Sequence, residues 1–249
     1  MFIPLLDRPR RNGGFSPASL SPSLWLAASP AYCFEDAGGA DPCEAGDGVY
    51  TWAPRAGSFT VQQATAADRP TYQETAGVGR VQAASDDRLV ITGTGFDGLT
   101  AFSLFVAFDT PTTPGGLDTL LSLGSAGTNT LVWLRSDSGS IGVYASFSGV
   151  FAGGTTATAW PTGTRSVIGL VFDTSLGSGQ LKAYLNSTEI LSVNNAGALP
   201  ATVGTMHLLN HPPDTSRGWP NGGSIYELVA ANRAITAAER AALVTHLLG

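Results

Sequence analysis

The residues best suited to chemistry lie between positions 32 and 48, where the sequence reads YCFEDAGGADPCEAGDG. This stretch holds both cysteines of the chain, Cys33 and Cys43, and five carboxylates without a basic residue among them. The carboxylates are Glu35, Asp36, Asp41, Glu44 and Asp47. Side chains of these types could form a metal site, a redox pair or a disulfide-closed surface loop.

The spacing of these cysteines and carboxylates favours some of these alternatives over others. A redox pair typically has a C-x-x-C spacing, whereas Cys33 and Cys43 are ten positions apart. A zinc site needs a full tetrahedral set of ligands, and the two cysteines have no histidine near them in the sequence. Calcium takes about six to eight oxygens, which the loop could supply, but without the regular spacing of a calcium-binding loop. We predict a disulfide, which persists in an oxidising environment, and keep calcium as the alternative.

Patterns associated with cofactors or catalysis are weak elsewhere. GTGFDG at 93–98 matches a dinucleotide fingerprint, but a strand pattern follows where a helix is required, so we predict a turn. No G-x-S-x-G occurs, and the spacing of His207, His211 and His246 does not support a catalytic triad. Glu227 lies mid-strand in SIYELVAANR, where a buried carboxylate needs a partner such as Arg233. We therefore expect a structural Glu227, no resident cofactor and no enzymatic activity.

Aromatic residues near polar loops are better candidates for binding a sugar or a partner protein. Trp160 and Trp219 each precede a proline, Tyr50 and Trp52 follow the acidic stretch, and His211 opens a proline-rich loop. Burial at the edge of the domain is the default for such residues, whereas exposed aromatic rings stack on sugar rings and contact partner proteins. We keep these five residues as the candidates for contact with a glycan or a partner.

Composition and charge exclude several classes of protein. A formal net charge of -6 argues against a nucleic-acid partner, which requires a basic surface. No stretch approaches the roughly 20 apolar residues of a membrane helix, and the N-terminus does not resemble a signal peptide. The 31 glycines and the low charged fraction of 13% are typical of many tight turns between short strands. We expect synthesis in a cytoplasm and no membrane partner.

The first seventeen residues form a segment distinct from the rest. Residues 1–17 combine prolines with three closely spaced arginines, so we predict a docking arm that orders on another subunit; a disordered terminus is the alternative. The candidate docking residues are Phe2, Arg8, Arg10 and Arg11.

Residues 18–249 have the pattern of one all-β domain. LTAFSLFVAFD and IGVYASF alternate in hydrophobicity with period two, SVIGLVFD is apolar on both faces like a central strand, and QLKAYLNSTEILSV predicts a hairpin turning at Asn186. ITAAERAALVTHLLG predicts a single C-terminal helix, in which Thr236 and Glu239 form a capping box. We expect this helix to cover an end of the domain.

These segments resemble the concanavalin A-like, laminin-G-like jelly-roll superfamily. SPSLWLAAS (21–29) resembles its opening strand, although Ala27 stands where the family commonly has aspartate. DGVYTWAPRAG (47–57), ATAADRPTY (64–72) and the closing strand and helix (223–247) carry the rest of the resemblance. The resemblance implies an all-β fold, a two-sheet antiparallel jelly-roll sandwich with one C-terminal α-helix.

The resemblance also implies a function. Members of this superfamily bind glycans or proteins, sometimes through calcium held by loop carboxylates, and the Glu-x-Asp-x-x-Glu strand of its enzyme branch does not occur here. We expect a non-enzymatic surface protein of a bacteriophage virion, forming a homo-oligomer as a head decoration, spike or tail-fibre component. It would dock on other virion subunits and present its lectin-like domain to a host-surface glycan or a protein. The alternatives are a bacterial extracellular carbohydrate-binding module or adhesin, and a capsid cement protein without a ligand.

Overall fold

A computed structural model describes residues 14–84, 86–124, 131–147, 150–195, 197–211 and 217–249, with Val150 described by its backbone alone. Within these ranges, seventeen strands form two antiparallel sheets and one α-helix ends the chain, which confirms the predicted all-β sandwich with its C-terminal helix. The four candidate docking residues, Phe2, Arg8, Arg10 and Arg11, lie outside the described residues.

The elements follow one another closely along the chain. They are β1 (Leu24–Ala27), β2 (Cys33–Phe34), β3 (Thr51–Trp52), β4 (Thr60–Gln62), β5 (Thr71–Thr75), β6 (Val78–Gln82), β7 (Leu89–Thr92), β8 (Ala101–Asp109), β9 (Thr119–Leu123), β10 (Val132–Asp137), β11 (Ser140–Phe147), β12 (Val150–Ala159), β13 (Ser166–Asp173), β14 (Leu181–Leu185), β15 (Thr188–Val193), β16 (Met206–Leu208), β17 (Ser224–Ala231) and α1 (Ala237–Leu248). Among the described residues, no helix has the length and hydropathy needed to cross a membrane.

The two sheets divide the strands between them. The eight-stranded sheet has the order β15-β14-β13-β8-β17-β6-β5, and β1 pairs with the second half of β17. The nine-stranded sheet has the order β12-β11-β10-β9-β16-β7-β4-β3-β2. All of these pairs are antiparallel, so neighbouring strands place directly opposed residues on the same face of the sheet.

The inner faces of both sheets form the main core. Phe102 and Phe172 from the eight-stranded sheet pack on Phe147 from the nine-stranded sheet, with ring centroids 5.4 Å apart for Phe102–Phe172 and 4.6 Å apart for Phe147–Phe172. All three rings are fully buried, and burial of one such side chain contributes roughly 1.5–3 kcal/mol. This packing accounts for the alternation of apolar residues in IGVYASF.

The helix covers the outer face of the eight-stranded sheet. Leu243, Val244 and Leu247 form its buried stripe, which packs in one cluster with Phe105 of β8 and Val167 of β13. The helix therefore lies on a face of the sandwich, whereas the sequence led us to expect it at an end. Because β8 is covered on both sides, its residues from Phe102 to Phe108 are all buried, although its alternation predicted a half-buried strand.

Several local predictions are confirmed. The capping box is present, since the Thr236 hydroxyl accepts from the Glu239 N–H and the Glu239 carboxylate accepts from the Thr236 N–H. The predicted hairpin joins β14 to β15 and turns at Asn186, which has a φ of 53°. GTGFDG lies between β7 and β8 as a turn, as expected.

Glu227 has a structural role beneath the helix, but its partners differ from the predicted one. Its Oε1 accepts from the Trp25 indole N–H at 2.7 Å and lies 3.0 Å from Nε2 of His246 on α1. Arg233 instead forms a two-pronged ion pair with Glu239, at 2.6 and 2.9 Å. Glu227 is 4% exposed and thereby connects β1, β17 and the helix.

Replacement of Glu227 should destabilise the domain in a graded way. Glu227→Ala removes the acceptor of two buried groups and leaves a cavity, so we expect it to lower the free energy of unfolding by about 3 kcal/mol. Glu227→Gln keeps an oxygen acceptor and should cost less than the alanine variant. Urea denaturation measures both, with Glu44→Ala on the exposed loop as the control that should change little. Equal losses for the two Glu227 variants, or none, would contradict the structural role.

Candidate functional site

The outer face of the nine-stranded sheet carries a continuous row of directly opposed residues. Strand pairing places Tyr144 opposite Trp133, Trp133 opposite Ser122, Ser122 opposite His207, and His207 opposite Val90. Their sequence neighbours, such as Val143, Leu134 and Met206, face the main core, so the row faces outward. No helix in the described part of the chain covers this face.

Five side chains on this face form a stack that we call the aromatic ridge. Its members are His211, Trp133, Arg135, Tyr144 and Phe151. The His211 and Trp133 rings are stacked, with centroids 4.3 Å apart and planes at 24°. The Arg135 guanidinium carbon lies 4.0 Å from the Trp133 ring centroid and 4.3 Å from that of Tyr144. Tyr144 in turn contacts Phe151, with ring centroids 5.9 Å apart.

The open end of the ridge is Phe151. Its side chain belongs to the edge strand β12 and is 66% exposed, the largest value among the large apolar side chains of the described residues. At the other end, the Trp133 indole N–H donates to the Thr119 hydroxyl at 2.8 Å, which fixes the ring on the sheet. The ridge is therefore anchored at Trp133 and presents one free aromatic face.

The Asp137 carboxylate connects residues of the ridge through hydrogen bonds. It accepts from Arg135 Nε at 2.9 Å on one oxygen, and from the hydroxyls of Tyr144 and Thr155 on the other. Burial raises the pKa of Asp137, but the hydrogen bonds from Thr155 and Tyr144 and the Arg135 charge outweigh it and lower the pKa below the usual value. The carboxylate is thus ionised at neutral pH and connects residues of β10, β11 and β12.

A glycine makes room for this carboxylate. Gly142 lies directly opposite Arg135, and a β-carbon at this position would sit 2.7 Å from an Asp137 oxygen. The tight turn between β10 and β11 supports the same register, because Ser138 and Gly139 both have positive φ, as a two-residue hairpin turn requires. Local turn chemistry therefore sets which side chains meet in the ridge.

Beside the ridge, the row continues into a buried polar pair. Ser122 and His207 are 1% and 8% exposed, and neither Ser122 Oγ nor His207 Nδ1 has a hydrogen-bond partner among the described residues. His207 Nε2 lies 3.0 Å from the Thr205 hydroxyl. Burial, followed by the charges of Arg88 and His211, lowers the pKa of His207 to about 4, so its imidazole is neutral at pH 7.

The five predicted contact residues are not brought together. Trp52, Trp160 and Trp219 are buried in the core, where Trp160 and Trp219 pack edge to face at 4.9 Å, so their prediction as contact residues is corrected. Their loops fold back on the sandwich because burying an indole is more favourable than exposing it. Tyr50 is half-buried beneath Arg69, 4.5 Å from its guanidinium carbon, at the far side of the sheet. His211 joins the ridge.

The acidic loop does not form a metal site. Within the described ranges, no group of three or more histidine, cysteine, aspartate or glutamate side chains is arranged to hold a metal ion. Asp36 accepts from the backbone N–H groups of Gly38, Ala40 and Asp41, and these bonds, led by that of Asp41, lower its pKa. Of the calcium ligands proposed from the sequence, which were Glu35, Asp36, Asp41, Glu44 and Asp47, Asp36 is thus engaged by its own loop. Glu35 lies near Asp47, Asp41 and Glu44, and burial together with these charges raises its pKa.

The two cysteines lie on facing segments but are free thiols, in contrast to the predicted disulfide. Phe34 and Pro42 form an antiparallel bridge, and the Cys43 N–H donates to the Cys33 carbonyl at 2.9 Å. Both thiols are buried. Burial raises the pKa of Cys33 far above its usual value, and burial together with Glu35, Asp47 and Asp41 raises that of Cys43 to about 12. Both are therefore protonated at neutral pH, and the thiol form is not the nucleophile.

Sequence reasoning missed most of the ridge. Trp133, Arg135 and Asp137 occupy alternate positions of VWLRSD, and Tyr144 occupies the polar-face position of IGVYASF. An aromatic side chain on the solvent-facing half of an alternating strand was the available signal.

Comparisons with known proteins show the fold. No protein-family model and no curated protein matches the chain. Among solved structures, the chain is similar to a Trypanosoma rangeli sialidase, with a TM-score of 0.65, 13% identity, and coverage of 100% of this chain and 36% of that one. It is also similar to the binding domain of botulinum neurotoxin serotype D, with a TM-score of 0.62, 10% identity, and coverage of 93% and 53%. The chain thus spans about a third of the sialidase and about half of the toxin domain.

This finding corrects the prediction that the chain is not an enzyme. The prediction is wrong because chains that share the fold include a sialidase, so a sandwich without a recognised catalytic motif does not exclude enzymatic activity. At 13% identity the likeness shows the fold alone and assigns no reaction to this chain.

The buried His207 predicts a pH dependence of stability. The pKa of His207 is lowered from 6.5 to about 4 in the folded state, so the folded state binds fewer protons than the unfolded state. The contribution of His207 to the free energy of unfolding is therefore present above pH 6.5 and is lost as the pH falls towards 4. Between pH 7 and pH 4 the native protein should lose on the order of 3 kcal/mol relative to His207→Asn. Urea denaturation at several pH values measures both proteins.

The comparison with His207→Asn removes a competing group. Burial raises the pKa of Asp87 to about 6. Its contribution to the free energy of unfolding is therefore fully present below pH 3.8 and is lost as the pH rises through 6. Asp87 is present in both proteins and cancels in the difference. Parallel stability profiles for the two proteins would show that His207 does not carry the dependence.

Proposed function

We propose that this chain is a carbohydrate-binding domain whose ligand binds at the aromatic ridge. The observation that carries the proposal is Phe151, two-thirds exposed at the open end of a fixed ring stack, on a sheet face without a covering helix. An isolated exposed phenylalanine is ordinary on a protein surface. Here the side chain extends a stack that is anchored by the Trp133 indole and the half-buried Asp137 carboxylate, which makes it a preorganised surface.

Sugar recognition by proteins uses the parts that the ridge offers. An aromatic face packs on the apolar side of a sugar ring, while charged and hydroxyl groups nearby bind its hydroxyls. The ridge provides the Phe151 ring and, on the far side of Tyr144, the Arg135 guanidinium, and the Thr155 hydroxyl lies next to the hydroxyl of Tyr144. Because Asp137 fixes Arg135 and Tyr144, little side-chain freedom is lost on binding.

The structural neighbours support this class of ligand. One of the similar Trypanosoma rangeli sialidase structures is a complex with sialic acid, and others are botulinum neurotoxin binding domains. At 10–14% identity, these proteins show only a fold in common with the chain. A sugar ligand on this sandwich is therefore our proposal, and a protein ligand is an outcome that the test below distinguishes.

Phe151→Ala tests the proposal with little risk to folding, since the side chain is mostly exposed. We expect wild-type protein to bind members of a glycan array saturably, and Phe151→Ala to weaken this binding about tenfold, as loss of one stacking ring would. Leu176→Ala, which removes another exposed apolar side chain, is the matched control and should bind as wild type. Binding that is unaffected by Phe151→Ala would place the ligand elsewhere, and the absence of any sugar ligand would favour a protein partner.

We also propose the setting that the sequence suggests, a bacteriophage virion surface, with the chain docked as a homo-oligomer through its N-terminal arm. Three arginines and several prolines within residues 1–17 support this part, as they lie outside the strand pattern of the domain. The same sandwich exported by a bacterium as an adhesin remains the second setting.

Removal of residues 1–13 tests the docking arm without altering the described domain. We expect the full chain to copurify with phage particles and to be labelled by antibody on their exterior, whereas the shortened chain stays unbound but keeps its sugar affinity. Equal incorporation of both chains would show that the arm does not dock. Absence of the full chain from particles would favour the bacterial adhesin.

A further inference from the structure

Arg135 is the ridge residue with hydrogen-bonding capacity left over. Its Nε donates to Asp137 at 2.9 Å, and its guanidinium carbon lies close to two aromatic rings. Within the described part of the chain, its two terminal nitrogens donate to no acceptor. The side chain is nevertheless only 17% exposed. The two terminal nitrogens are not among the fully buried polar atoms, so their unused donors lie at the surface of a largely buried side chain, where a ligand can reach them.

Such a group favours a charged ligand for a physical reason. Removing a cation from water without pairing it costs free energy, and a single carboxylate on Nε compensates only one side of the group. The remaining nitrogens form a planar fork that matches the two oxygens of a carboxylate or sulfate. A ligand with two anionic oxygens at this fork would therefore gain more binding free energy than a ligand with a neutral hydroxyl.

The fork is held in one direction. Asp137 cannot turn away from Nε, because its second oxygen accepts from Tyr144 and Thr155 on two further strands. The guanidinium also packs against both the Trp133 and the Tyr144 ring, whose centroids are 6.5 Å apart, and these contacts restrict its movement. A second guanidinium, that of Arg217, lies 5.0 Å from the Trp133 ring centroid.

We propose that the ridge selects acidic sugars, in which a carboxylate or sulfate binds the terminal nitrogens of Arg135 while the sugar ring, or the adjacent one, stacks on Phe151. This inference rests on the proposed sugar-binding function and names the class of sugar. Carboxylates and sulfates share the chemistry that the fork recognises, and the two are separated by the choice of probe.

The test is a glycan array that displays each acidic sugar beside its uncharged counterpart. Polygalacturonate and sialic acid are paired with their methyl esters, and sulfated galactans with desulfated ones, all at one ionic strength. We expect wild-type protein to prefer the acidic member of at least one pair by about tenfold or more, the size of a charge-assisted hydrogen bond. The preferred pair identifies carboxylate or sulfate.

Two variants assign this preference to the fork. Arg135→Gln should reduce binding of the acidic sugar to the level of its uncharged counterpart. Arg135→Lys keeps a charge partner for Asp137, so it remains informative if the glutamine variant is unstable, and it should lose most of the preference because it lacks the planar fork. Arg240→Gln is the matched control, as Arg240 also lies over a tyrosine ring, at 3.9 Å from Tyr184, but on the helix side of the sandwich.

The outcomes separate this inference from the proposed function. Equal binding of charged and uncharged sugars, still lost in Phe151→Ala, would overturn the acidic preference and leave the sugar-binding site in place. An acidic preference that survives in both Arg135 variants would also overturn it. Absence of any sugar ligand would overturn the proposed function, and this inference with it.

Discussion

Burial of both faces of the eight-stranded sheet determines where the helix packs and, within the described part of the chain, which face of the other sheet has no helix over it. β8 and β13 carry apolar residues on both faces, so one face requires the other sheet and the second requires a further cover. The helix provides that cover through Leu243, Val244 and Leu247. With the helix committed to this side, the outer face of the nine-stranded sheet is left for polar and aromatic side chains, and the ridge lies there.

The ridge depends on a second constraint, the ionised state of Asp137. Its carboxylate accepts hydrogen bonds from residues of three neighbouring strands, which holds Arg135 against two rings and orients Tyr144 towards Phe151. Gly142 leaves the space that the carboxylate occupies. A surface ion pair alone contributes little to stability. The main effect of this hydrogen-bond network is to fix the positions of the ridge side chains in the free protein, before a ligand binds.

The stretch richest in chemical side chains, in contrast, serves the fold. Asp36 organises its own loop by accepting three backbone N–H groups, and both cysteines are buried thiols beside β2. Backbone donors stabilise the Asp36 carboxylate, whereas burial and the charges of Asp47, Asp41 and Glu44 disfavour ionisation of Glu35. The density of cysteines and carboxylates in this loop therefore did not predict the candidate site. The two-residue alternation of the strand that carries Trp133 and Arg135 was the better indicator.

The local elements could be predicted from the sequence, because their signals come from residues near one another. Period-two alternation predicted β8 and β11, apolar character on both faces predicted a central β13, and the capping box at Thr236 predicted the start of the helix. Alternation also places Trp133 and Arg135 on one face.

Which face is covered and which is open follows from contacts that form only in the folded molecule. The tertiary structure buried Trp52, Trp160 and Trp219, stacked His211 on Trp133, and connected Glu227 to Trp25 and His246. These outcomes depend on contacts between segments far apart in the chain, where the gain from burying a side chain is set by the surface that meets it and not by its sequence neighbours.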